Sequence, residues 1–369
     1  MIKIQPDETL HSETHNTFCP LPYTKLILNS YGHISMCCHQ QVQLGVIDEN
    51  TDILKVWKSD LAKEIRRATD KGDLHSSCKA WNSCPFLVKE RVLNPVKIFK
   101  KSAYPTYLEI CLPDKHCNVG GENPSPQNPA CIMCRRNFNI PDQKDMTDLM
   151  CEKSKPLMPY LKHLCVLGIA EPFWKDAVFK IFEKLEFHRY KDQIEFTTNT
   201  NGICLNEKNA NRFFEEVRMS DLSWSLDSAT AETHQKIRRL DTFDFVISNL
   251  NRWIKLREKH GGKKSHKVCI YNNINLLNVH EMTQMVELAH ATQVDHMVML
   301  PTYDQFGVVS LHEICLNDKN VKVFKQASEK AMRRAEELGV QLLYSKRFDV
   351  VPPAVTNAGQ ELVQLQLDF

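Results

Sequence analysis

Fourteen cysteines in a chain of 369 residues carry the chemistry that is most visible in the sequence. Two groups of them are spaced so that several thiolates can meet one centre. The first is Cys117-x13-Cys131-x2-Cys134. Its close pair can turn both sulfurs toward one metal, while Cys117 must be brought back by the intervening chain. That chain, Asn118 to Ala130, is rich in Pro, Gly and Asn and is predicted to be a loop. Three thiolates leave a tetrahedral zinc site one ligand short. They leave a four-iron cubane with one iron open to an exogenous ligand. His116 and Cys111 are near enough in sequence to complete a zinc site, so both metals stay open at this point. The second group is Cys19, the pair Cys37-Cys38, Cys78 and Cys84. Counting Cys37, with Cys38 as its alternative, gives four thiolates. That is a complete set for a structural or electron-relay iron–sulfur cluster, or for a structural zinc. Cys151, Cys165, Cys204, Cys269 and Cys315 have no such spacing and read as ordinary residues, with Cys165 and Cys269 inside strand patterns.

Composition narrows the class. Lys and Arg total 47 against 45 Asp and Glu, a formal charge of +2, which gives no electrostatic case for a nucleic-acid or membrane partner. Hydrophobic residues make up 42% and charged residues 25%, so a folded chain is expected rather than a disordered one. Met1 to Thr17 lacks the basic-then-apolar pattern of a signal peptide. No run of about 18 apolar residues suggests a transmembrane helix. A cytoplasmic location follows as the expectation, and reducing conditions favour thiolate ligation over disulfides.

The elements that must position these cysteines fall into segments. Residues 1–18 read as a flexible leader, 19–95 as a small Cys-rich α+β module, 104–345 as an α/β domain and 346–369 as a tail. Within the module, Leu26-Ile27-Leu28, the turn signal Asn29 to His33, and Ile34 to Cys38 predict a hairpin. Ile53 to Thr69 has helical spacing in Ile53, Val56, Trp57, Leu61 and Ile65. Beyond Tyr104 strands and helices alternate. Strands are predicted at Tyr107–Cys111, His163–Gly168, Ile194–Thr198, Leu222–Leu226, Lys267–Asn273 and His296–Leu300. Apolar helix faces are predicted over Thr242–Arg257, Glu281–Ala291 and Val323–Leu338. Six βα units argue for a parallel sheet, either open and doubly wound or curled into a partial barrel. In both, the active site belongs at the C-terminal strand ends.

At these residues the chain resembles the radical S-adenosylmethionine (SAM) superfamily. Tyr107-Leu108-Glu109-Ile110 followed by Cys117-Asn118-Val119 is similar to its first strand and cluster-loop entry. Cys131-Ile132-Met133-Cys134 is similar to its close cysteine pair, although the usual gap before that pair is three residues and here it is thirteen. Gly168-Ile169-Ala170-Glu171-Pro172 resembles the glycine-rich segment after the second strand, with glycines replaced. Thr200-Asn201-Gly202 resembles the end of the third. Ser225-Leu226-Asp227-Ser228 with Glu232, His234, Ile237 and Arg238 resembles the run after the fourth. The N-terminal residues Cys19-Pro20, Gly32 to Cys38, Leu44-Gly45, Val56-Trp57, Ile65-Arg66, Cys78 and Cys84-Pro85 resemble the twitch/SPASM auxiliary-cluster module.

The resemblance implies a partial (β/α)6 radical-SAM-type barrel preceded by that module. It implies a 4Fe–4S cluster on Cys117, Cys131 and Cys134 with SAM at the open iron. Reductive cleavage of SAM would then give a 5′-deoxyadenosyl radical that abstracts hydrogen from a substrate. It places Glu171 on the methionine amino group, Asn201, Ser225 and Asp227 near the ribose or methionine, and Arg238 on the carboxylate. It implies a second 4Fe–4S cluster on Cys19, Cys37 or Cys38, Cys78 and Cys84, and a flavodoxin- or ferredoxin-type electron donor. Peptide, sugar and small-metabolite substrates all remain open.

Each residue also has a plainer reading. Glu171 could cap a helix that starts at Pro172–Phe173, and Asp227 or Ser228 the next helix. Arg238 could be a solvated surface charge, and Thr200-Asn201-Gly202 only a turn. The corresponding alternative for the whole chain is a non-catalytic iron–sulfur or zinc-binding scaffold with a degenerate barrel.

Overall fold

The structure is a computed structural model. It describes residues 9–10, 19–37, 42–71, 73, 75–79, 99–114, 116–121, 127, 130–134, 136, 144–302, 313–317 and 319–344. Cys38, Cys84, nearly all of the leader and all of the 346–369 tail lie outside the described residues. The chain divides into two compact units, Met1–Asp114 with Asp142–Thr197, and Lys115–Pro141 with Thr198–Phe369.

In the first unit the elements are β1 (Lys25–Leu28), β2 (His33–Ser35), β3 (Gln43–Val46), α1 (Ile53–Trp57), α2 (Asp60–Asp70), β4 (Tyr107–Cys111), α3 (Thr147–Ser154), β5 (His163–Leu167) and α4 (Ala177–Lys184). The hairpin read from the sequence is β1 and β2, paired antiparallel. Its turn closes as the residues suggest. The Asn29 side-chain oxygen accepts from the backbone N–H of Tyr31 and of His33, and Gly32 takes φ +80°. What the sequence did not signal is that β1 is also the parallel neighbour of β4, Lys25 opposite Tyr107, while β4 pairs in parallel with β5. This explains the unbroken apolar run Leu26-Ile27-Leu28, all fully buried, since a strand covered on both faces has no solvent side to alternate with.

The single helix expected over Ile53–Thr69 is two. Asp52 caps α1, accepting from Leu54 N and Lys55 N at 3.1 Å, and Ser59 caps α2, accepting from Ala62 N at 3.3 Å. A serine hydroxyl offers the backbone this alternative inside a helical pattern. Arg66 then secures the corner: it donates to Trp57 O at 2.9 Å and lies 4.1 Å over the Trp57 ring.

The chain passes between the units inside β6 (Glu195–Thr200). The second unit continues with α5 (Glu207–Glu216), β7 (Ser220–Ser225), α6 (Ala231–Arg238), α7 (Phe243–Lys259), β8 (His266–Ile274), α8 (Met282–Thr292), β9 (His296–Pro301), α9 (Val321–Leu338) and β10 (Leu342–Tyr344). Strands β7 to β10 are parallel throughout, in chain order. All six strands expected after Tyr104 are present, so the α/β class read from the sequence is the class observed. No helix among the described residues is long and apolar enough to cross a membrane.

Behind β7 an aromatic cluster fixes α5 and α7. Phe213 and Phe214 lie 4.8 and 4.5 Å from Trp253, and Trp253 meets Trp224 edge-on at 6.3 Å. Gly202, at the end of β6, lies against this cluster with φ +78°, and a Cβ there would come within 2.3 Å of Trp224 Nε1. Gly202→Ala combines left-handed strain with overpacking against a fully buried ring. It should cost about 2–4 kcal/mol of stability. A denaturant titration that moves the midpoint by less than the equivalent of about 1 kcal/mol would rule this out.

Candidate functional site

Cys117, Cys131 and Cys134 all belong to the second unit, and three local contacts tie down the segments that carry them. The close pair sits on a tight turn, with Cys134 N donating to Cys131 O at 2.9 Å. That turn is tied to α6, because Ile132 N donates to Ile237 O at 3.0 Å. The start of the long excursion is tied to Arg136, two residues past the close pair, which is buried and donates Nη1 to Val119 O at 2.7 Å and Nη2 to Gly121 O. Gly120 and Gly121, at φ +75° and +61°, let the backbone turn its carbonyls to that fork. Asn201 adds a fourth tether, donating Nδ2 to Asn118 Oδ1 at 2.8 Å beside Cys117.

Burial pushes the Cys134 thiol up to about 11. Negative charge on Cys131 and Cys117 adds to the rise, and the Arg136 backbone and guanidinium oppose it. A cluster of thiols that resists ionisation for these reasons ionises when a cationic centre joins it.

Arg238 supplies a cation at the site. Its Nη1 lies 3.7 Å from Cys131 Sγ. Its Nη2 lies 2.5 Å from Asp227 Oδ2 and donates to Ser225 O at 2.9 Å. The side chains are 13% and 0% exposed, which overturns the surface-charge reading of Arg238. Burial works against the guanidinium charge, but the Asp227 carboxylate and then Cys131 and Cys117 outweigh it, so its pKa rises. Asp227 is held in turn. Its Oδ1 accepts from Asn273 N at 2.8 Å, and its backbone oxygen accepts from Asn278 Nδ2 at 2.6 Å.

The cap of α6 is neither Asp227 nor Ser228 but Thr230, whose hydroxyl accepts from Thr233 N at 3.3 Å. Buried Glu281 supports it, accepting from Ala229 N at 2.7 Å and from the Thr230 hydroxyl at 2.5 Å. Of the residues assigned from sequence, Asn201, Ser225, Asp227 and Arg238 therefore stand with the three cysteines in one unit.

Glu171 lies in the first unit, beyond β5. It is buried, and its Oε1 accepts from Phe173 N at 3.2 Å; the contact closes a turn, since a short 3-10 segment Trp174–Asp176 follows and the α-helix expected here begins only at Ala177. Gly168 precedes it at φ +135°, where a Cβ would come within 2.7 Å of Leu112 O. Cys111, the zinc ligand weighed above, is also in the first unit. Its thiol donates to Glu109 Oε1 at 3.7 Å, and Glu109 pairs with Lys25 at 2.7 Å. Among the described residues no three of His, Cys, Asp and Glu stand close enough to hold one metal ion. A tetrahedral zinc would need sulfurs about 3.8 Å apart, given Zn–S bonds of about 2.3 Å.

Sequence reasoning missed Arg136, Asn118 and Glu281. Arg136 had a signal, a cation two residues after the close pair. Glu281 had none, because it acts on α6 from some fifty residues downstream.

Two buried histidines of this unit carry a pH dependence. Burial lowers His234 to about 4, helped by the Arg238 charge, and its ring bridges Ser228 Oγ and Thr242 Oγ1 at 3.3 and 3.1 Å. Burial likewise lowers His266 to about 4, with its ring 2.8 Å from Ser220 Oγ. A pKa depressed in the folded state means that the unfolded chain takes up the proton first. The stability conferred by the neutral rings is present above pH ~6.5 and is lost as pH falls toward 4. Melting temperature should therefore drop across that window, and His266→Gln should flatten the drop. A melting temperature independent of pH from 7 to 4 would contradict it.

The second group of cysteines lies in the first unit. Cys19 precedes the one-turn helix Leu21–Thr24. Cys37 follows β2, with its N–H donating to Ser35 Oγ at 3.2 Å. Cys78 sits in the short helix Ser76–Lys79. The segment bearing them matches a known family. Residues 19–85 match the SPASM model, an iron–sulfur cluster-binding domain. The SPASM match begins at the first cysteine of the group and ends one residue past its last, Cys84. No curated protein matches the chain.

Among solved structures, Streptococcus suis SuiB bound to S-adenosylmethionine is 11% identical, with a TM-score of 0.47 over 87% of this chain and 71% of that one. AnSMEcpe with bound AdoMet and a Cp18Cys peptide is 17% identical, with a TM-score of 0.47 over 66% and 64%. A radical SAM methyltransferase from Sphaerobacter thermophilus is 14% identical, with a TM-score of 0.40 over 64% and 65%. Against SuiB bound to its precursor peptide, this chain spans about half the partner's length, 49%. At these identities and scores no activity or substrate passes from them to this chain.

Proposed function

We propose that the protein is a radical SAM enzyme with a SPASM-type auxiliary iron–sulfur module. The observation that supports it most is the placement of Cys117, Cys131 and Cys134 in one unit, with a buried guanidinium 3.7 Å from the Cys131 sulfur. The donor set is sulfur only, which suits an iron–sulfur cluster. The strand ends beside it also suit a zwitterionic cosubstrate. Arg238 Nε, Asn272 Oδ1 and Asp227 Oδ2 are buried with no hydrogen-bond partner among the described residues, one donor and two acceptors, the last of them ion-paired with Arg238.

When bound, the cluster would supply an electron to the SAM sulfonium, and with it the power to remove hydrogen from an unactivated carbon. The chain's own residues bind and orient. Arg238 offers Nε to the methionine carboxylate while its Nη atoms stay engaged. Asn201, Ser225 and Asp227 approach the ribose or methionine, and Glu171 takes the methionine amino group. Cys19, Cys37 or Cys38, Cys78 and Cys84 hold the auxiliary cluster, with a flavodoxin- or ferredoxin-type donor outside. The substrate is a peptide, a sugar or a small metabolite.

A non-catalytic iron–sulfur or zinc scaffold is the second reading. The Glu171 carboxylate already engaged at Phe173 N favours it. Anaerobic purification separates the two. The enzyme reading expects brown protein with about eight iron per chain, two cubanes, and SAM cleavage on reduction. Colourless protein with zinc alone, or brown protein inert toward SAM, overturns it.

A further inference from the structure

We infer that Arg238 and Asp227 form a positioning pair that sets the reduction potential at the Cys131 sulfur; this rests on the cluster reading above. Three observations support it. Arg238 Nη1 points at Cys131 Sγ, 3.7 Å away, and this is the charge-assisted N–H···S contact that tunes iron–sulfur potentials. At the other end of the guanidinium, Nη2 donates to Ser225 O at 2.9 Å and is ion-paired with Asp227 Oδ2 at 2.5 Å, which orients the fork toward the sulfur. The sulfur and the guanidinium are also joined through the backbone, since Ile132, next to Cys131, bonds to Ile237, next to Arg238.

The electrostatics give each residue its own sign. Adding an electron makes the cluster more negative, and a cation or N–H donor at its sulfur favours that state. Arg238 therefore raises the potential. Asp227 neutralises most of the guanidinium charge, so it lowers what the sulfur feels. The pair is buried, where such terms are screened least. A residue that merely held the fold would disturb the potential without this opposition of signs.

The test is an EPR-monitored redox titration of the anaerobically reconstituted full chain without SAM. It follows the signal that is absent from the Cys131→Ala/Cys134→Ala variant. Arg238→Met should make reduction at least tenfold harder, a shift of 59 mV or more to the negative for one electron. Asp227→Asn should shift the midpoint to the positive. Either variant can fail to fold because it strips a buried charge of its partner. The double variant Asp227→Asn/Arg238→Met removes both charges and should still move negative, since the N–H···S contact is gone. Arg238→Lys keeps the charge but loses the fork, and should fall between wild type and Arg238→Met. Midpoints equal to wild type, or shifts of the same sign in Arg238→Met and Asp227→Asn, overturn the inference and leave the cluster reading standing. A wild-type chain with no signal that depends on Cys131 and Cys134 overturns both.

Discussion

Replacing Cys131 and Cys134 together by alanine is expected to abolish SAM cleavage and to remove about half of the bound iron, one cubane of two. The two residues share one turn, closed by Cys134 N on Cys131 O, so the double change takes away two adjacent ligands while the Arg136 staple on Val119 and Gly121 stays in place. A cubane left with Cys117 alone has no chelate to hold it. Cys78→Ala is the reciprocal experiment. It should spare the cluster on Cys117, Cys131 and Cys134 and remove the other half of the iron, because Cys78 belongs to the SPASM segment in the first unit. Iron and sulfide assays with cleavage of SAM to 5′-deoxyadenosine read both. Cleavage that survives loss of Cys131 and Cys134 would sink the site as drawn.

The second large effect is on stability. Asp227 is wholly buried, and the Arg238 cation beside it is nearly so. Removing one member of such a pair leaves a charge in a low-dielectric interior, at a cost of about 3–5 kcal/mol. Asp227→Ala should therefore lower the melting temperature by on the order of 10 °C in a domain this large. It also strips the partner of Asn273 N, which adds to the loss. Replacing both members by apolar residues of similar size, Asp227→Leu with Arg238→Met, should recover much of the stability, since no isolated charge remains. The two changes must couple strongly in a double-mutant cycle. Additive effects would mean that the residues do not act as a pair.

Much of the fold was legible because local chemistry and tertiary structure agree. Strand positions after Tyr104 followed from apolar runs whose ends carry turn residues, and the helices from apolar faces at a 3.6-residue period. The β1–β2 turn followed from Asn29 and Gly32. Where a side chain competed with the pattern the reading failed, as at Ser59, whose hydroxyl caps a new helix inside an apolar stripe that continues across the break.

The sequence by itself determined which residues are the candidate donors. The close pair Cys131 and Cys134 and the Ser225–Asp227–Arg238 run are marked by residue type and short spacing, and short spacing constrains geometry within a turn; the cysteines from Cys19 to Cys84 are marked by residue type, their spacing being diffuse. Only the tertiary structure decided what those residues face. It turned Arg238 inward onto Asp227 and Cys131, gave the α6 cap to Thr230 backed by Glu281, and set the Cys111 thiol on Glu109. It also showed that the buried Arg136 guanidinium, just past the close pair, binds two carbonyls at the start of the thirteen-residue excursion. The physical reason is separation along the chain. Contacts between residues a hundred positions apart depend on loop closure and on the burial of neighbours, and neither is written in the local sequence.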